Sequence, residues 1–257
     1  MRSRTPVAVA AAALFILGGV AGCSTSTTSG TASESPSAVE ATPNGVQKLD
    51  AKEILADARK AAGAASSVTV AVVRDNAGTE IRTDLSLSAD GSSGTLGQPD
   101  GQSVEVVGTA DAIYVKGDAF AQSLGAENAA AVEGKWLMIP KDNPAAQSFA
   151  GLGSVKEFSD TTLAAPEDLK KLPVEEIDGM QAVGLESAQG TLWIATEGEP
   201  YPIKITAPKG QSGSLTMSGW NQPVTITPPP QDEVVDISTL NLQPAAPTTA
   251  PTAAPTQ

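Results

Sequence analysis

Apolar and polar side chains alternate most plainly at Leu85, Leu87 and Ala89, with Asp84, Ser86 and Ser88 between them. That is the period of a strand with one face covered and the other wet. The same alternation predicts strands over 68–74, 79–89, 94–98, 103–109 and 112–116, separated by turn sequences such as Asn76-Ala77-Gly78, Asp90-Gly91 and Pro99-Asp100-Gly101. A second run over 174–177, 181–186, 191–196, 202–207, 214–219 and 224–227 is punctuated in the same way by Asp178-Gly179, Gln189-Gly190 and Asn221-Gln222. Such short gaps make successive strands antiparallel neighbours. Ahead of the first run the period is helical: Leu49, Ile54, Leu55, Ala58 and Ala62 form one stripe, Asp50 and Glu53 form a capping pair, and Gly63 ends the element. Between the runs, 118–133 is alanine-rich with Phe120, Leu124 and Ala131 and predicts a helix across the sheet. A strand over 135–140 follows, then a helical turn over 144–152 opened by Asn143 before a proline. Segment 165–172 has acids in its first turn and lysines in its last, the charge order of a short helix. Val234, Val235, Ile237 and Leu240 form a last apolar patch that ties the domain's end down.

The two ends follow other rules. Arg2 and Arg4 precede an apolar run from Val7 to Val20 that is shorter than a membrane span, so residues 1–22 read as a secretory signal. Val20-Ala21-Gly22-Cys23 resembles a bacterial lipobox, which implies cleavage before Cys23 and acylation of its sulfur. Two or three acyl chains hold a protein on a bilayer durably. The expectation is a protein on the extracytoplasmic face of the cell membrane, lipid-anchored. Residues 23–48 hold Ser, Thr, Gly, Ala and Pro without period and predict a flexible tether. The tail over 241–257 is Pro, Ala and Thr without charge and predicts an extended, disordered end. The domain itself is expected over 49–240.

Charge and composition narrow the chemistry. Losing the leader removes Arg2 and Arg4 from 16 basic residues and leaves 14 against 29 acidic, a net of −15. So acidic a chain lacks the footprint of a nucleic-acid binder and is not drawn to anionic headgroups by its overall field. Cys23 is the single cysteine, which leaves no disulfide or cysteine metal site, and no cofactor is called for. A monomer is expected. There is no histidine, so histidine triads and general bases are absent. Glu175-Glu176 and Asp232-Glu233 are adjacent pairs that point to opposite faces of a strand, a poor geometry for paired acid and base work. Asp75, Asn76 and Asp90 lack calcium-loop spacing and suit turns. These residues argue against an enzyme.

The stretches Asp111-Ala112-Ile113-Tyr114-Val115-Lys116-Gly117, Gly134-Lys135-Trp136 and Ile177-Asp178-Gly179, then Gly190-Thr191-Leu192-Trp193-Ile194 and Pro200-Tyr201-Pro202-Ile203-Lys204-Ile205, resemble in kind and order the LppX and LprG family of actinobacterial lipoproteins, whose fold is similar to the carrier LolA. The resemblance spans 49–240. It implies an α+β fold, a highly curved antiparallel half-barrel with short helices closing its concave side over an apolar cavity that holds acyl chains. That family's cavity is defined by apolar character and not by a fixed motif, so the candidate contacts are simply inward-facing positions. From the first run these are Leu85, Leu87, Val104, Val106, Ile113 and Val115. From the middle they are Phe120, Leu124 and Trp136, and from the second run Leu192, Ile194, Ile203, Ile205, Leu215 and Met217.

Two questions stay open at the level of sequence. Plentiful Ala and Gly with only 4% aromatics fit a roomy interior or a tightly packed small-residue core. Trp136, Trp193 and Trp220 either cap a core at strand ends or rim a ligand mouth. The functional readings divide accordingly: a binder and carrier of lipid or another lipophilic molecule, or a filled-core module tethered for contact with the cell envelope.

Overall fold

The structure is a computed structural model and describes residues 42–76 and 78–240. These lie within one compact unit, Ala41–Gln257. The leader, Cys23, most of the tether and the tail fall outside the described residues.

Twelve strands form one curved, unclosed sheet: β1 (Ser67–Asn76), β2 (Thr79–Ser88), β3 (Ser92–Gly97), β4 (Ser103–Gly108), β5 (Ala112–Lys116), β6 (Trp136–Pro140), β7 (Lys170–Ile177), β8 (Met180–Ser187), β9 (Gly190–Ala195), β10 (Pro202–Thr206), β11 (Ser214–Ser218) and β12 (Val234–Asp236). Their order is β12-β6-β5-β4-β3-β2-β1-β11-β10-β9-β8-β7. Each run of strands is therefore a meander, and the two meanders join where β1 pairs with β11. Among the described residues all ladders are antiparallel except β12 on β6, where the apolar patch near residue 235 joins the sheet as a parallel edge strand. The expected strand at 224–227 does not form: Pro223 and the Pro228–Pro230 run lack amide donors, and the segment passes extended without a ladder.

Helices α1 (Ala51–Ala64), α2 (Asp118–Ser123), α3 (Ala126–Val132) and α4 (Val155–Thr162) cover the concave side. The Asp50–Glu53 capping box closes as the sequence requires, with the Asp50 carboxylate accepting from the Lys52 and Glu53 amides. The expected single helix over 118–133 is instead a pair. It breaks at Gly125, whose φ of +87° suits glycine. Asn143 caps a 3₁₀ turn at Pro144–Phe149, and Phe149 meets Phe120 edge to face at 6.2 Å. Residues upstream of Leu49 also pack on the fold: Pro43 bridges to Glu197, and Val46 is buried.

The register lays one apolar row across the concave face. Met217, Val70, Leu85, Gly94, Val106, Val115, Leu137 and Val235 stand side by side through consecutive pairings. Gly94 is required there, because a Cβ would overlap the Asp84 carbonyl oxygen on β2; glycine lets the sheet bend tightly at this point. Most of this row is buried in the larger core cluster together with Val132, Val155, Phe158 and Ile237. A second, smaller cluster joins Ile54, Leu55 and Ala58 of α1 to Val183, Leu185 and Ile194 of β8 and β9. The outer edge at β7 is blunted against stray pairing by Pro173, a register shift between Lys171 and Val174, and the charges of Lys170, Glu175 and Glu176.

Candidate functional site: an apolar cleft under an unbonded flap

The segment expected to be a helix over 165–172 holds no helix. Its last residues, from Lys170, enter the ladder with β8, where each pairing satisfies backbone groups that a two-turn helix would leave at its ends. Lys171 secures this start of β7 by donating to the carbonyls of Gln47 and Leu49 at 2.6 and 2.7 Å. Upstream, α4 ends where the Leu163 amide donates to Ser159. From Ala164 to Leu169 no backbone or side-chain hydrogen bond forms among the described residues. This stretch is a flap held by apolar contact alone.

Beneath the flap lies a cleft of about 60 Å³. Leu163, Ala164, Pro166 and Leu169 form its roof, Leu55 of α1 its side, and Leu185, Leu192 and Ile205 of the sheet its floor. Gln189 and Gly190 at the β8–β9 turn stand at one end. The space takes a few water molecules and is far below the ~300–1,000 Å³ of a ligand pocket. A roomier groove of about 660 Å³ lies at the end of the sheet, but there Ala89, Pro223, Val224, Ile226 and Pro228 share the lining with Ser66, Ser67, Ser88, Asp90, Thr109 and Gln222, so its wall is as much polar as apolar. Volume favours that groove, whereas chemistry suited to an alkyl chain favours the cleft.

The inward-facing candidates divide between these surroundings. Leu85, Leu87, Val104, Val106, Ile113, Val115 and Met217 are buried in the larger cluster, with Phe120, Leu124 and Leu215 half-buried against it. Ile194 belongs to the smaller cluster, and Leu192 and Ile205 line the cleft. Two point the other way. Trp136 alternates with the buried Leu137 and Ile139, so it stands on the opposite face with the Lys116 ammonium 5.7 Å from its ring centre. Ile203 is the extra residue of a β-bulge between Pro202 and Lys204, which turns it onto the outer face against Trp193. Cys23 lies outside the described residues.

None of the tryptophans lines the cleft. Trp193 packs on the outer face over Gly184, where Leu172 and the indole leave no slack for a Cβ. Trp220 stacks on Tyr201 at 4.7 Å and donates to the Pro202 carbonyl at 3.0 Å. Both act as covers for apolar surface. Among the described residues no three His, Cys, Asp or Glu side chains gather as a metal-ligand set, and no helix is long and apolar enough to cross a membrane.

The lining that periodicity did not reveal comes from α4 and the flap. A signal for α4 was present in Ser154 and Glu157, a Ser-x-x-Glu start whose serine does cap the Glu157 amide at 3.2 Å. The flap carried the opposite signal, because its charge order imitates a helix.

No protein-family model matches the chain, and no curated protein matches it in sequence. Solved structures similar to it include LprF from Mycobacterium bovis, with 18% identity over 73% of this chain and 99% of that one and a TM-score of 0.49. Another is the Mycobacterium tuberculosis lipoprotein LppX, with 23% identity over 68% and 99% and a TM-score of 0.43.

Proposed function

We propose that this chain is an extracytoplasmic lipoprotein, anchored through acyl groups on Cys23, that binds a lipid or other lipophilic molecule between its curved sheet and its helices and passes it on. The observation that carries the reading is the flap over 164–169: an apolar cleft roofed by a segment with no hydrogen bonds can be opened at little cost. Parting it breaks side-chain contacts that an incoming alkyl chain replaces in kind. Each methylene taken from water contributes about 0.8 kcal/mol, so five or six of them contribute about 4–5 kcal/mol, enough to hold the flap open around a chain. The lipobox-like Val20-Ala21-Gly22-Cys23 supports the anchor, and the family resemblance read from the sequence supports the ligand class.

The small volume of the cleft favours a second reading, a tethered envelope module whose cleft is merely a packing fault. Native mass spectrometry separates the two. The chain from Ser24 onward, purified from a lipid-containing host, is expected to carry near-equimolar lipid that leaves on unfolding. A bare mass that persists after incubation with the host's lipid extract would overturn the carrier reading in favour of the module.

A further inference from the structure

On the far side of the flap lies a second hollow, a groove of about 380 Å³. Leu55, Pro166 and Leu169 line both it and the cleft, so the two share one wall. Its other wall is the exposed face of α1, where Lys52, Ala56 and Arg59 recur at helical spacing. Both cations are exposed, and neither enters an ion pair or hydrogen bond through its side chain; the ion pairs of the described residues use other basic groups. Among the described residues Glu167 of the flap is the single acid lining the groove and is also unpaired. Glu53 is taken up by the Asp50 amide at 3.2 Å, and Asp57 lies off this face of the helix. The groove thus carries one net positive charge, in a chain whose formal net charge is −13.

We infer that this groove receives the head of an amphiphile bearing a single negative charge, a phosphodiester or a carboxylate, while the alkyl chain passes under the flap into the cleft. The inference rests on the carrier reading and gives it a headgroup class. A chain this acidic is repelled by an anionic surface as a whole, so preference for an anionic lipid has to arise locally. Two cations facing one monoanion also leave Glu167 paired, because one cation serves each acid.

The test loads the chain from Ser24 onward from vesicles of dioleoyl phosphatidylglycerol or dioleoyl phosphatidylcholine, and in parallel from oleate or oleyl alcohol, with bound ligand read by native mass spectrometry. Phosphatidylglycerol is expected to load about tenfold better than phosphatidylcholine if the head is a phosphodiester, and oleate better than oleyl alcohol if it is a carboxylate. The double variant Lys52→Gln/Arg59→Gln should lose the preference while loading the uncharged or zwitterionic partner as before. Both positions are exposed on the helix, and an unchanged thermal midpoint verifies that the variant is folded. Glu167→Gln should strengthen the preference. Equal loading of charged and uncharged partners, or a preference that survives the double variant, overturns the headgroup assignment and leaves the carrier reading standing. Loading by none of the four probes overturns both.

Discussion

The two halves of the concave face have the same raw material and different covers. Under β1–β6 and β11, valine, leucine and isoleucine rows meet α2, α3, α4 and the 3₁₀ turn at Pro144–Phe149, and every covering element is held by its own backbone hydrogen bonds. Under β8–β10 the rows meet α1 on one side and the unbonded flap on the other. Similar apolar floors therefore end under a hydrogen-bonded cover in one half and under an unbonded one in the other. On the proposed reading, what separates core from site is the bonding of the roof.

The largest expected effect lies in the sealed half. Leu137 is 1% exposed, between Val115 and Val235 in the apolar row, and Leu137→Ala should cost about 2–5 kcal/mol because the bonded cover cannot collapse onto the gap. Urea unfolding followed by far-UV circular dichroism reads this directly. A loss below about 1 kcal/mol would mean that the larger cluster yields as readily as the flap, and the contrast between the halves would fail.

The flap should answer differently. Leu169 is half-buried and roofs the cleft, so Leu169→Ala is expected to cost about 1 kcal/mol or less while changing lipid loading several-fold. Hydrogen exchange sharpens the same point without substitution. Amides of 164–169 should exchange orders of magnitude faster than those of β8 and β9 immediately below, and should slow when an alkyl chain is bound. Protection of the flap at the level of β8 in the free protein would remove the openable roof.

The sealed half was largely legible in advance and the cleft was not, for reasons that follow from the same contrast. Alternation in 79–89 and 103–116 states its structure locally, because one side of each strand is wet, and on the cleft's side only α1, with its Asp50–Glu53 cap, was as plain. Leu137 and Ile139 could not be told from Trp136 and Met138 by pattern, since β6 is apolar on both faces. Ile203 was misplaced because a bulge shifts the period by one residue and leaves no mark in composition. Of the cleft, Leu192 and Ile205 were visible as inward strand positions, whereas Leu163 and Leu169 depend on how α4 ends and on the capture of Lys170 and Lys171 by β8. An irregular roof has no period to read.

The smallest effect concerns the edge of the sealed half, where β12 lies on β6. The Asp236 carboxylate accepts from the Ser238 hydroxyl at 2.7 Å and the Ser238 amide at 2.8 Å, and these bonds hold its pKa below the ordinary carboxylate value. A group whose folded pKa is depressed adds stability that is present above its unfolded pKa and is lost as pH falls through the folded one. Protection of the β12 amides should therefore weaken on acidification below about pH 4 in the native chain. In Asp236→Asn it should be lower at neutral pH and nearly flat over the same range. A native profile as flat as the variant's would mean that β12 is held by its ladder with β6 alone, and that the cover of the sealed half needs no side-chain latch at its edge.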